Sequence, residues 1–183
     1  MLPHIAIGSK PNNVLTPDYG WIQINDGSET PRTMRTEIGD GQTVGLDVGE
    51  PIRVSLGTGT DQRVVFDGSI STVNFVFEEI APPTVVVSAD AVASSPREPA
   101  ITSYTLVRGR ELLTARAMVR KGLDFVTVFG ATTGWPDVVV GSILRLEHIG
   151  ASFSGDGYRV TRLNHTFDLE HGLRSSFVAQ RAI

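Results

Sequence analysis

Hydrophobic positions in this chain alternate with polar ones at every second residue, and glycine or proline interrupts each run after a few residues. The alternation is cleanest towards the C-terminus. Leu144, Leu146 and His148 alternate with Arg145 and Glu147; residues 150–157 break the pattern, residues 158–167 resume it, and residues 173–179 follow Gly172 as a third run. This predicts three strands of a small antiparallel sheet, separated by Gly-marked turns. Upstream, residues 5–7 and 21–24 give weaker strand signals, joined by a Pro- and Asn-rich loop over residues 10–18. Asp40-Gly41 and residues 47–51 read as turns, and they lead into a strand with Ile52, Val54 and Leu56 on one face and Arg53 and Ser55 on the other. A hairpin loop is predicted over residues 57–61, a bulge or bend at Asp67-Gly68, and a strand over residues 70–77 with Val73, Phe75 and Phe77 sharing a face. Pro82-Pro83 stops it, and Val85, Val87 and Ala89 restart in phase over residues 84–89.

Ser94-Ser95-Pro96-Arg97-Glu98-Pro99 has linker composition and no period. It divides the chain into a first domain over residues 1–93, a linker over 94–100 and a second domain over 101–183. Residues 110–121 support two readings. Glu111 near the start, Arg120-Lys121 near the end and Gly122 beyond fit a capped helix, while Leu113, Ala115, Ala117 and Val119 alternate with polar or bulky neighbours as a strand would. Residues 125–129 and 137–140 then lead through Gly141 into the C-terminal sheet. Each half has a Gly followed by an apolar strand, Gly49 before Ile52 and Gly141 before Ile143, then a Gly-bearing turn and an aromatic-bearing strand, which is the pattern of a distant repeat.

Composition agrees with an all-β chain. Apolar residues make up 40%, dominated by Val, Ile and Leu, with aromatics at only 7%, and the 19 Gly and 10 Pro supply the turns that many short strands need. Sixteen basic against twenty acidic residues give a net charge of −4 with no block of one sign, so specific nucleic-acid recognition is not expected. The chain has no cysteine, which removes disulfides, thiolate nucleophiles and Cys-bearing metal sites. Met1-Leu2-Pro3-His4 does not start a standard signal peptide and no run is long and apolar enough for a membrane segment, so the chain reads as soluble.

Candidate chemistry is sparse. His165, Asp168 and His171 have an H-x-x-D-x-x-H spacing with donors that suit zinc or iron, yet on a strand His165 shares a face with Leu163 and Phe167 while Asp168 and His171 fall in the following turn. A packed, hydrogen-bonded histidine is the better reading. Residues 150–154, GASFS, have Ser154 where a nucleophile elbow needs its second Gly, and Gly57-Thr58-Gly59-Thr60 lacks the Lys and helix of a phosphate loop. Glu78-Glu79 reads as solvated charge at a strand end, and the Asn164-His165-Thr166 sequon falls on a strand. Trp21 and Trp135 could act as ligand platforms if exposed, although Trp135-Pro136 equally suits a loop anchor over a barrel end. No catalytic, metal or cofactor-binding residue is assigned, and no enzyme activity or cofactor is expected.

Residues 153–168, FSGDGYRVTRLNHTFD, followed by Gly172 and Phe177-Val178-Ala179-Gln180-Arg181, resemble the end of phage tail hubs of the late control protein D group, found in contractile tails and related injection machines. Gly49-Glu50-Pro51-Ile52-Arg53-Val54, Phe66-Asp67-Gly68-Ser69-Ile70 and Pro83-Thr84-Val85-Val86-Val87 resemble the first barrel of the same hubs. The resemblance implies two small tube-protein-like β-barrels in tandem, an extended segment at 110–121 and a structural role for His165. It further implies a homotrimeric ring of near-sixfold symmetry that joins the inner tail tube protein to a spike protein and meets other baseplate proteins. The location it implies is the virion tail or an injection particle, assembled in the bacterial cytoplasm. The chain departs from larger hubs in lacking their helical insertions, which suggests a separate spike partner. Two rivals belong to other classes: a monomeric β-sandwich module binding carbohydrate or a small ligand through Trp21 or Trp135, and a hydrolase using His165, Asp168 and a serine.

Overall fold

The computed structural model describes residues 3–8, 14–15, 19–39, 46–57, 62–77, 79–80, 83–92, 103–120 and 122–183. Among these, all regular structure is extended: β1 (His4–Ile7), β2 (Val14–Leu15), β3 (Tyr19–Gly27), β4 (Thr33–Gly39), β5 (Pro51–Leu56), β6 (Arg63–Val76), β7 (Thr84–Ala91), β8 (Ser103–Val107), β9 (Leu112–Val119), β10 (Phe125–Thr133), β11 (Ile143–Glu147), β12 (Gly155–Asp168) and β13 (Gly172–Ala182). The fold is all-β. The ambiguous segment is a turn at residues 108–111 followed by β9, whose Ala115 and Ala117 pack against the core opposite Gly130 and Val128 of β10. Alternation and a cross-strand partner outweigh helical end signals there.

The chain divides into two compact units. The first comprises Met1–Ile24, Pro31–Pro96 and Thr166–Gly172, and the second Asn25–Thr30, Arg97–His165 and Leu173–Ile183. The expected linker lies outside the described residues. In the first unit the strand order is β2-β1-β5-β6-β7-β4-β3, antiparallel wherever the register is resolved. In the second the order is β8-β11-β12-β13-β10-β9, and the turn between β8 and β9, with a bridge from Arg108 to Leu112, closes one corner of the run.

These two orders are the same once strands are matched in sequence: β1, β3, β4, β5, β6 and β7 correspond to β8, β9, β10, β11, β12 and β13. Hydrogen bonds repeat too. Gly49 N–H donates to the Ile70 carbonyl at 2.8 Å and Ile70 N–H to Glu50 at 2.9 Å; Gly141 N–H donates to Val160 at 2.8 Å and Val160 N–H to Ser142 at 2.9 Å. Gly49 and Gly141 have φ of 94° and 95°, a left-handed conformation that costs other residues strain. The repeats differ at the first strand, since β1 runs antiparallel to β5 whereas β8 runs parallel to β11.

Buried side chains come from one face of each strand, including Ile52, Val54, Phe66, Ile70, Val85 and Val87 in the first unit. In the second, Leu106, Leu112, Val128, Leu144, Leu146, Tyr158 and Phe177 belong to one core cluster. Several sequence expectations are corrected. Ser55 is buried, because a register shift between Val54 and Ser55 turns consecutive residues inwards. Asp67-Gly68 is no bulge: β6 runs straight through it, and Gly68 is required because a Cβ would strike the Asp90 carbonyl and the Phe66 ring. The register shift lies instead between Ile70 and Thr72. His148 leaves the strand with a φ of 60°, and residues 137–140, in turns and irregular backbone, lead through Gly141 into β11. Turns expected at Asp40-Gly41 and within 58–61 lie outside the described residues.

Candidate functional surfaces

The sequence-derived candidates are structural in geometry. His165 projects inward from β12 with Leu163 and Phe167. Its Nδ1 lies 2.7 Å from Ser175 Oγ, which also accepts the Trp135 backbone N–H at 3.1 Å, while Thr132 Oγ1 donates to the Ser175 carbonyl at 3.3 Å. These bonds tie β12, β13 and the end of β10 through buried polar groups. Asp168 sits in the following turn, where its Oδ1 accepts the His171 backbone N–H at 2.6 Å and faces the ring Nδ1 at 3.1 Å. The backbone bond from His171 is the main reason the Asp168 carboxyl is held below its ordinary value. Among the described residues no group of three His, Asp or Glu side chains is arranged to hold a metal.

Residues 150–157 form a pinned turn. Phe153 and Ser154 N–H both donate to the Gly150 carbonyl, at 3.0 and 2.8 Å. Tyr158 is fully buried and its hydroxyl donates to the Phe153 carbonyl at 2.6 Å. Arg181 on β13 lays its guanidinium 4.5 Å from the centre of the Tyr158 ring and donates to the Ser152 and Ser154 carbonyls at 3.3 and 3.4 Å. Burial raises the Tyr158 pKa and the Arg181 charge opposes the rise. Sequence reading missed this clamp, since an Arg at an inward β position carries no local mark of its partner.

Neither tryptophan is a free platform. Trp21 Nε1 donates to Glu37 Oε2 at 3.0 Å. Trp135 packs against the core of the second unit and meets Tyr104 edge-on, with ring centres 5.2 Å apart, while the Tyr104 hydroxyl donates to the Asp137 carbonyl at 2.9 Å. That is the loop anchor reading. Residues 58–60 and Glu78 lie outside the described residues, and Glu79 is exposed.

Among the described residues, exposed apolar side chains gather on two surfaces. The first is the tip of the β6–β7 hairpin. The ladder ends at Val76 opposite Thr84, and Phe75, Phe77 and Ile80 are 58%, 75% and 96% exposed. The second is the outer face of β9, β10 and β13, where Phe125, Thr127 and Phe129 stand in register with Met118 and Arg116 on one side and Gln180 and Val178 on the other. Residues 27–30 wall this face into a groove with Arg120, Leu123 and Arg162 at its margin. β9 stands at the end of the strand order, with β10 as its neighbour among the described strands.

No protein-family profile and no curated protein matches the sequence. Solved structures match in fold. A tail protein from Neisseria meningitidis aligns with a TM-score of 0.65 at 8% identity, covering 98% of this chain and 96% of that one. A 43 kDa tail protein of prophage MuSo2 from Shewanella oneidensis aligns with a TM-score of 0.65 at 9% identity and the same coverage, 98% and 96%. An Escherichia coli protein, described as a type VI secretion component with structural similarity to two bacteriophage T4 tail proteins, aligns at 0.60 and 7% identity, covering 98% of this chain and 76% of that one. The chain has the fold of phage tail proteins.

Proposed function

We propose that this chain is a structural subunit of a phage tail or related contractile injection particle, acting as a hub that joins the inner tube to a spike. The observation that carries this reading is the internal duplication. Three copies of a chain with two equivalent units present six similar elements, which lets a threefold assembly meet a sixfold tube on one side and a threefold spike on the other. Matched strand order and the matched Gly49 and Gly141 latches supply the likeness between units that symmetry matching requires. Fold likeness to tail proteins over nearly the full length of this chain supports the same setting. The role is mechanical rather than enzymatic, and its partners are the tube protein, the spike and other baseplate proteins.

The test is reconstitution with a phage tail-tube protein. Light scattering and negative-stain images should show a threefold ring that caps one end of the tube. A chain that stays monomeric with tube protein present, and never decorates a tube end, would overturn the reading.

A further inference from the structure

We propose that copies of this chain join by strand pairing, with the C-terminal end of β9 of one copy laid antiparallel along residues 71–74 of β6 in another. The inference rests on the structural-subunit reading and adds which edges meet. Its template lies inside the chain. In the second unit β12 pairs with β11 as far as Arg159, and Val160 bonds to the latch residues Gly141 and Ser142. Beyond Val160 the end of β3 takes over the same edge: Ser28 N–H donates to the Thr161 carbonyl at 3.0 Å, and the Asn164 side-chain amide donates to Asn25 Oδ1. Residues 25–28 therefore run antiparallel to residues 161–164 and cover this stretch of β12.

The first unit has the same stretch without the cover. Ile70 makes the latch bonds that Val160 makes, and Ser71 Oγ donates to the Ser88 carbonyl at 3.3 Å as Thr161 Oγ1 donates to the Val178 carbonyl at 3.2 Å. Residues 71–74 of β6 thus answer to residues 161–164 of β12. The β5 ladder stops at Ser69, and among the described strands the neighbours of β6 are β5 and β7. Burial differs accordingly: Leu163 and His165 are buried, whereas Val73 is half-buried and Phe75 is exposed. The strand that answers to β3 is β9. Thr36 pairs with Val87 as Gly130 pairs with Phe177; Thr36 Oγ1 bonds to the Trp21 carbonyl beside Ile22, and Gly130 stands opposite Ala115. Ile22 thus answers to Ala115, and Asn25 to Met118. Ile22 and Ile24 are buried, while Val119, in phase with Ala115 and Ala117, is 54% exposed. Acceptor edge and donor strand are therefore the two halves of a pair that the chain already makes once. β9 and β6 are not neighbours within one chain, so a second copy completes the pair. Main-chain bonds give such pairing its affinity, and it covers strand edges that would otherwise template aggregation.

The absence of cysteine gives a clean test. Asn74→Cys and Met118→Cys, the positions that answer to the contact between Asn164 and Asn25, are purified separately and checked for unchanged circular dichroism. They are mixed with oxidised glutathione at roughly 100 µM, where a contact with a Kd of that order is half occupied. The mixture should give about tenfold more disulfide dimer than either variant alone, because only the mixed pair is held at high effective concentration. Val73→Cys in place of Asn74→Cys should lose the excess, since a step of one residue turns the side chain to the opposite face of the strand. No excess in the mixture, or the same excess with Val73→Cys, would overturn the strand pairing. The disulfide reports the strand pair alone, whether copies close as a pair or as a ring. Tube capping is read on the unmodified chain, so the hub reading stands or falls on its own result.

Discussion

His165 Nδ1 sits 2.7 Å from Ser175 Oγ, and the two residues are only 4% and 2% exposed. The pair decides between a structural and a catalytic histidine. His165→Ala leaves Ser175 Oγ facing a cavity and removes a packed ring, so the variant should lose about 2–3 kcal/mol of stability. Urea unfolding measures this as a lower midpoint with an unchanged slope. A midpoint equal to that of the unmodified chain would refute the structural role.

Tyr158 and Arg181 form the second test. Burial raises the folded-state pKa of Tyr158 above its ordinary 10.0, with Arg181 opposing. A raised pKa means that the neutral phenol is favoured by folding. Its contribution is therefore complete below the ordinary tyrosine value and is lost as pH rises through the higher folded value. Of the three tyrosines, Tyr158 should titrate late in ultraviolet absorbance, later still in Arg181→Met, and the late step should vanish in Tyr158→Phe. An early or normal step in Arg181→Met would contradict the assigned opposition.

Much of this fold was legible in the chain. Strands such as β11 and β13 declare themselves because one face is dry and one wet, and Gly49 and Gly141 marked the repeat because left-handed turns select Gly. Other features needed the third dimension. Phe75 and Phe77 alternate as a core strand would, and alternation says that a face is apolar without saying what covers it. Ser55 is inward only through the bulge, and Arg181 meets Tyr158 only because β13 lies beside β12. Assignment of residues 25–30 to the second unit and of 166–172 to the first leaves no trace in local composition.

Equivalence of the two latches predicts equivalent costs. Gly49→Ala introduces a Cβ that meets nothing within 4 Å, so its penalty is the left-handed backbone alone, about 1–2 kcal/mol. Gly141 has nearly the same φ and the same bonds, and Gly141→Ala should cost a similar amount. Differences in melting temperature measured side by side check this. A loss confined to one site would show that the latches are not equivalent.

Asp168 gives an acid-side prediction. Its carboxyl is held below the ordinary 3.8, first by the His171 backbone N–H, then by the His171 charge and side chain. A depressed pKa places the stabilisation above the unfolded value, and it is lost as pH falls through the lower folded value. Melting temperature should drop in that window more steeply for the unmodified chain than for Asp168→Asn, which keeps an oxygen acceptor for the turn but cannot titrate. Identical acid profiles would remove Asp168 as a contributor.

Gly130 on β10 stands directly opposite Phe177 on β13, and the aromatic ring lies over the position that a Cβ would occupy. Glycine weakens a strand by itself, through lost side-chain packing and backbone entropy. Here the Phe177 ring covers the gap and joins the core cluster at the same time. Gly130→Ala must therefore displace the ring, and overpacking of this kind costs about 1–3 kcal/mol, although alanine is the better strand residue in isolation. Phe177→Leu should cost stability alone by shrinking the core. Combined with Gly130→Ala it should cost less than the sum of the two single changes, because the smaller side chain makes room for the new methyl. Denaturant midpoints of the four proteins in this cycle measure the coupling, and strictly additive losses would show that the ring does not occupy the space above Gly130.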